Sequence, residues 1–516
     1  MRGVIAAGDH QTCAAGVVAL EAGGTAIDAV LAAAFASFVV EPPLTSPAGA
    51  GVLLHGHPDR GFEIMDFFAT TPGRGLSSRP PLDFERVTVD FGSATQPFHV
   101  GRAAAAIPGA LPGLLATHQA YGTLPLRDIL APAIAYARHG YQLSTQVRWV
   151  NELLRPIVTL TKGVRDIFCD GDDLAPAAST QTNPAFADFL EALAANPRDA
   201  RRHFDAAILR AFGPQNGGLI TAEDLAAYQP TRRQPLRTSF HGAEILTNPP
   251  PASGGGLIAF ALRLLETMDL GPFLSAQHLT SMAETFRAVS EARLAGYDAN
   301  ISDPETVAAL LSDSNVDGWA RRIAARREEN QLGGTTHISV LDADGGAAAM
   351  TASNGEGCGY VLPDLGVHMN NFLGEEDINP LGFHQFEAGT RMTTMMAPTL
   401  VLRNGAPHLV LGSGGSNRIR SAITSALVNA LHFDRDPHTC VNAPRLHVEG
   451  DQLWFEGDGT GSGAAEALDR HWPTAARFDG RNMFFGGVHM VGRTSDGLVG
   501  GGDLRRGGTV AFAGHR

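Results

Sequence analysis

The chain is poor in cysteine, in charge and in long apolar runs, and each shortage excludes something. Four cysteines in 516 residues, Cys13, Cys169, Cys358 and Cys440, lie far apart and form no Cys-x-x-Cys pair. That argues against a disulfide framework and against a structural zinc site. Charged residues make up 18% and the formal net charge is −14, so a nucleic-acid surface is not expected. The longest apolar run, Ala26 to Val40, is alanine-rich and contains Asp28, too short and too weakly hydrophobic to span a bilayer. No secretory signal is visible, because Met1-Arg2 leads at once into Gly3-Val4-Ile5-Ala6-Ala7-Gly8, which reads as a strand. The expectation is a soluble, cytoplasmic protein with neither nucleic acid nor membrane as partner. A secreted chain trimmed of its leader would look the same.

What is abundant is small and apolar. Hydrophobic residues reach 44% and glycine 60 residues, a globular composition suited to close-packed α/β layers. The length exceeds what one simple core needs, which leaves two domains or one large layered unit. Helices are predicted over 11–22, stopped by Gly23-Gly24, and from Thr25 to about Val40, where Thr25 and Asp28 form a capping box. Val52–Leu54 and Gly61–Phe67 read as paired strands, and 73–98 as irregular and exposed. Helices are expected from Leu124 to about Gly140, behind a second capping box at Thr221–Asp224, and over Leu257–Leu265. Pro249 to Gly256 lacks the Gly-Lys-Ser/Thr ending and the Gly-x-Gly-x-x-Gly spacing, so it is read as a turn rather than a phosphate loop. Residues 302–334 are polar, with a short helix near Trp319–Arg327, and read as a mobile linker. No repeat appears at periods of 20–50 residues.

That linker ends at Gly333-Gly334-Thr335-Thr336-His337-Ile338-Ser339-Val340. Thr336, Ile338 and Val340 alternate with His337 and Ser339, the pattern of a strand. Asp342 to Gly346 supplies a turn, and Ala347–Thr351 returns. A threonine at the mouth of a strand, behind a flexible Gly-Gly, suits an N-terminal nucleophile. If the Gly334–Thr335 bond is cut, Thr335 carries both the attacking hydroxyl and an α-amine of pKa near 8 to serve as base. A threonine-rich hairpin with no chemistry is the plainer reading. Asn404-Gly405 marks another hairpin, between strands at Met395–Leu402 and His408–Leu411. Gly412-Ser413-Gly414-Gly415-Ser416-Asn417-Arg418-Ile419 then turns from strand into a helix to about Leu431, where backbone N–H groups can face an anion or oxyanion.

Taken together, these stretches resemble the γ-glutamyltransferase family of N-terminal-nucleophile hydrolases. The resemblance runs nearly end to end. It takes in Ala22 to Ala29, Ile107-Pro108-Gly109, Tyr121 to Pro125, Gly218 to Leu225 and Asn248 to Gly255. Thr335-Thr336-His337, Met369-Asn370-Asn371, Met396 to Thr399, Gly412 to Ile419 and Asn442 to Arg445 follow in the same order. It implies a four-layer αββα sandwich, made as a precursor that cuts itself between Gly334 and Thr335. Residues 1–334 would form a large chain and 335–516 a small one, the two remaining one globular unit. Thr335 would be the nucleophile, and Gly415 and Ser416 the backbone oxyanion donors. Asn354 matches a family asparagine near the substrate amino acid. Thr351 or Ser353 would bond the nucleophile's amine, and Glu375 matches a family acid.

Departures from the family pattern fall on glutamyl recognition. The family's carboxylate-binding arginine, in Asp-Phe-Arg-Glu, meets Asp66-Phe67-Phe68-Ala69, so Phe68 takes its place. Phe372 follows the Asn-Asn pair where the family has a carboxamide or carboxylate. Thr394 and Met395 replace paired serines. Arg102 and Arg391 are candidates to restore a carboxylate site. The expected activity is a Thr acyl-enzyme acting on γ-glutamyl amides such as glutathione, by hydrolysis or by transfer to an amine, with altered glutamyl recognition. The alternatives are an acylase for a non-glutamyl amide on the same fold, and an idle member that serves as a binding protein. No metal or organic cofactor is implied. His337 has no partner at ligand spacing and reads as structural.

Overall fold

Alternation along the strands decides the layers. In Gly3–Ala7, Val4 and Ala6 point one way and Ile5 and Ala7 the other, and all four are fully buried. A strand apolar on both faces must be covered on both. The computed structural model describes residues 1–90, 95–322, 335–379 and 381–514, and supplies that cover as two stacked antiparallel sheets between helices.

The first sheet runs, in spatial order, Thr231–Arg233, Gly61–Phe67, Ala50–His57, Ala347–Ser353, Thr336–Asp342, Gly3–Ala7 and Thr509–Ala513. The second runs Leu236–Phe240, Ala243–Thr247, Thr399–Arg403, Ala406–Gly414, Gly487–Thr494 and Gly497–Gly501. Between them Val4, Val52, Leu54 and Ala349 meet Leu246, Leu400, Val410 and Val491. On the outer face of the first sheet, Ile5, Leu53, Ile338 and Met350 pack under the helices His10–Glu21 and Ala26–Val40. On the outer face of the second, Ile245, Val401, Leu411 and Met490 pack under Gly254–Glu266, Ala276–Ala292 and Arg418–Leu431. This is the αββα sandwich. Both predicted capping boxes form, at Thr25/Asp28 and Thr221/Asp224. Asn404 (φ 53°) and Gly405 (φ 78°) make the expected hairpin turn. Among the described residues no helix is long and apolar enough to cross a membrane.

Two expectations need correction. Residues 73–98 are not irregular throughout, because Glu85–Asp90 pairs with Thr95–Val100 and buries Val89, Phe98 and Val100. The Val87–Val89 alternation is the signal, masked by the charged residues around it. Much of 302–322 is helical rather than linker. Asp303 caps Pro304–Leu310 through the Glu305 N–H, and Asp313–Arg322 follows. Val307, Leu310, Val316 and Trp319 anchor both helices on the outer core. The helix expected near Trp319–Arg327 therefore starts earlier, at Asp313; residues 323–327, like Gly333 and Gly334, lie outside the described residues.

Candidate active site

Thr335 sits one residue before the strand Thr336–Asp342 and is 4% exposed. Thr336 pairs with Ala352 and His337 with Thr351, so the register puts Thr335 opposite Ser353. Side chains alternate across the sheet. Thr336 turns outward, where its Oγ1 donates to Glu41 Oε2 at 3.2 Å while Thr12 Oγ1 donates to Glu41 Oε1 at 2.7 Å. Burial, then the charge of Asp9, pushes the Glu41 carboxyl up to about 7 against the pull of those two hydroxyls.

His337 turns inward, and Gly412 leaves room for it: a Cβ there would lie 2.2 Å from the ring. Ser339 Oγ donates to the His489 carbonyl (3.0 Å), so it accepts from His337 Nε2 (2.9 Å), and Nδ1 accepts from Thr351 Oγ1 (2.8 Å). Burial, then the proximity of His489, holds this imidazole well below its ordinary pKa. The Thr351 hydroxyl is thus committed to His337. Of the two hydroxyls considered for the amine, it is Ser353 that lines the cleft with Thr335.

The glycine-rich turn closes on Thr335 from the second sheet. Gly414 ends the strand Ala406–Gly414, and a Cβ there would stand 1.6 Å from the Thr335 carbonyl oxygen. Only glycine permits that approach. Arg506 Nη1 donates to the same oxygen at 2.7 Å. Gly415 (φ 121°) and Ser416 (φ 46°) carry the chain left-handed into the helix Arg418–Leu431. Ser416 lines the cleft, and its hydroxyl donates to the Asp377 carboxylate.

The cleft has one apolar wall. Phe68 and Phe372 pack ring against ring with centroids 5.2 Å apart, and Met395 lies beside them. Thr394 is also present, its hydroxyl accepting from the Met396 N–H at 3.2 Å. Neither arginine considered as a rescue lines this space. Arg102 pairs with Asp83 at 2.8 Å and stacks over Tyr360. Arg391 is spent on the Phe68 carbonyl, the Tyr228 hydroxyl (2.9 Å) and the Gln229 carbonyl (2.7 Å).

The opposite wall is polar and was largely missed from sequence. Arg293 lines it, bonded through Nε to Asp298 and through Nη1 to Glu449 Oε1 at 2.6 Å. Glu449 lies 156 positions away, so no local pattern announces the pair. Glu375 and Asp377 line the same wall. Burial first, then the charges of Glu356 and Asp377, raises the Glu375 carboxyl well above its usual range, and burial raises Asp377. Glu375 Oε1 has no hydrogen-bond partner among the described residues. Asn354 is fully buried next to Ser353 but outside the cleft lining, and neither side-chain polar atom is bonded among the described residues. No group of three or more His, Cys, Asp or Glu able to hold a metal occurs among the described residues.

Comparison with known proteins bears on this arrangement. The family model described as Gamma-glutamyltranspeptidase matches residues 12–513. The acylase ACY 1 proenzyme of Pseudomonas sp. (strain SE83) is 29% identical over 99% of this chain and 94% of its own length. The glutathione hydrolase proenzyme of Escherichia coli (strain K12) is 28% identical over 86% of this chain and 81% of its own. A crystal structure of cephalosporin acylase from Bacillus halodurans superposes with a TM-score of 0.83 at 23% identity, over 100% of this chain and 96% of that one. The Helicobacter pylori gamma-glutamyltranspeptidase gives 0.53 at 26% identity, over 61% of this chain and 89% of that one.

Proposed function

Because the chain belongs to the gamma-glutamyltranspeptidase family and is an enzyme of its N-terminal-nucleophile hydrolase class, we propose that it is a self-processed amidohydrolase or acyltransferase with Thr335 as nucleophile. The observation that carries this reading is the placement of Thr335 at a strand mouth, in a cleft closed by the Gly412–Ser416 turn. Cleavage before Thr335 yields chains 1–334 and 335–516. They stay together because Thr336–Asp342 is hydrogen-bonded on one side to Gly3–Ala7.

Thr335 Oγ attacks the amide carbonyl, and its proton passes to the new α-amine. The Gly415 and Ser416 N–H groups meet the oxyanion, each such donor contributing about 3–4 kcal/mol to lowering the barrier. The amine leaves with that proton, and an acyl-enzyme remains. Water or a second amine then releases the acyl group. Ser353 orients the α-amine.

The nominal donor is a γ-glutamyl amide such as glutathione, but the acyl pocket favours a donor without an α-carboxylate. Phe68, Phe372 and Met395 offer that charge no bond, and desolvating it unpaired is costly. Glu375 lines the same cleft and is the acid within it nearest in sequence to the Asn370-Asn371 pair, and it is the group assigned to an amino group on the donor. The acylase name of the Pseudomonas relative supports a non-glutamyl donor. The test compares kcat/KM for γ-glutamyl-, glutaryl- and 4-aminobutyryl-p-nitroanilide. The 4-aminobutyryl donor is expected to lead. A wild-type preference for γ-glutamyl of about a hundredfold, or about 2.7 kcal/mol, overturns the altered-pocket reading and makes Arg293 the carboxylate ligand.

A further inference from the structure

We propose that Asp377 is a positioning residue that holds Ser416 in the left-handed conformation from which its N–H serves the oxyanion. The inference rests on the assignment of Thr335 and Ser416 above.

Ser416 has a φ of 46°, a region that residues with a Cβ avoid and that glycine enters freely. A serine there has to be held. Its hydroxyl donates to Asp377 Oδ2, from a part of the chain 39 positions away. Asp377 in turn sits on a fixed support. The short 3-10 turn Glu376–Ile378 is tied down by Asn379, whose Nδ2 donates to the Phe372 carbonyl at 2.8 Å and the Glu375 carbonyl at 2.7 Å. Arg418 and Arg293 face Asp377 and favour its ionised, accepting form against the cost of burial.

The other side of the turn is equally confined. Gly414 lies against the Thr335 carbonyl, and a Cβ on Gly415 would stand 2.8 Å from the Gly486 Cα. The peptide between Gly415 and Ser416 is therefore set by three contacts: Thr335, Gly486 and the Asp377 clamp. Two of the three involve glycines that cannot change. Without the clamp, Ser416 relaxes toward a right-handed conformation, and its N–H swings away from the oxyanion that forms when Thr335 attacks. Asp377 so acts through Ser416 and not on the substrate. A glycine at 416 would need no clamp.

The test is a double-mutant cycle on the matured enzyme, read as kcat, KM and the rate of acyl-adduct formation on the 335–516 chain. Asp377→Ala is expected to lower kcat and the acylation rate by about 10- to 100-fold, short of or near the loss of a whole oxyanion donor, with KM within about threefold. Ser416→Ala keeps the N–H and removes the hydroxyl. It should lose as much, and Ser416→Ala with Asp377→Ala no more. Asp377→Asn, whose amide oxygen still accepts, should retain most of the rate. In the Ser416→Gly background Asp377→Ala should cost less than about threefold. An equal loss in the glycine and serine backgrounds overturns the proposal and makes Asp377 a substrate ligand or a folding residue. Should Asp377→Ala fail to mature, maturation and turnover of Asp377→Ala/Ser416→Gly support the clamp, and failure of that variant too overturns it. The two levels separate cleanly. No adduct on Thr335 in the wild type sinks the nucleophile assignment, whereas a normal acylation rate in Asp377→Ala sinks only the clamp.

Discussion

Glu41 gives a stability test whose magnitude follows from the structure. It is 1% exposed, accepts from Thr12 and Thr336, and carries a carboxyl pushed up to about 7 by burial and by Asp9. The nearby His489 is itself held down at about 4 by burial and adds no charge at neutral pH. Below about pH 4.5 the carboxyl is protonated both folded and unfolded, and pH has no hold on it. Between about 4.5 and 7 the unfolded chain releases the proton while the folded chain keeps it. The raised pKa thus contributes stability at low pH that is lost as pH rises through about 7. The gap from the ordinary value of 4.5 to about 7 corresponds to about 3 kcal/mol at 1.36 kcal/mol per pH unit. Glu41→Gln keeps the two hydroxyl contacts in weaker form, at a pH-independent cost of about 1 kcal/mol, and has no proton to lose. The variant should be less stable than wild type by about 1 kcal/mol at pH 4.5 and more stable by about 2 kcal/mol at pH 8. Urea midpoints of the mature proteins at half-unit steps over that range measure it. A difference that stays flat with pH would refute a Glu41 carboxyl raised to about 7 behind the nucleophile strand.

Other outcomes follow from the site. Thr335→Ala should remain one chain on a denaturing gel while the wild type shows two, with Thr335 at the new N-terminus; splitting of the variant at the same bond would end the self-cleavage reading. Since the base is an α-amine, kcat/KM should rise with pH along one limb with a midpoint at or below about 8, and acetylating that amine in the mature enzyme should abolish turnover. Full activity after acetylation would exclude the amine as base. Phe68→Arg should shift preference toward γ-glutamyl-p-nitroanilide by about tenfold or more, read as the ratio of its kcat/KM to that of the 4-aminobutyryl donor. An unchanged ratio would mean that position 68 does not face the donor's α-carbon.

The sandwich was expected from the family resemblance; what the residues themselves made legible were individual strands, turns and helix caps. Thr25/Asp28, Thr221/Asp224 and Asn404-Gly405 are local devices, and each forms where the residues predict it. The nucleophile strand and the Gly412–Ser416 turn were legible for the same reason. What failed was the reading of polar stretches. Trp319 and Val316 lie among charged residues, yet these two apolar side chains, one helical turn apart, are enough to dock 313–322. The polar wall of the cleft failed differently. Arg293 meets Glu449 across 156 positions and Ser416 meets Asp377 across 39, contacts that tertiary packing creates and no window of sequence contains. Thr351 and Ser353 share a strand face, and only the position of His337 tells them apart.

The most direct measurement of the central claim is the intact mass of the mature enzyme after brief incubation with excess 4-aminobutyryl- or γ-glutamyl-p-nitroanilide and acid quench. One acyl group should be added to the 335–516 chain, mapping by peptide sequencing to Thr335, and none to 1–334. Turnover without that adduct under single-turnover conditions, or an adduct on any other residue, would contradict the claim.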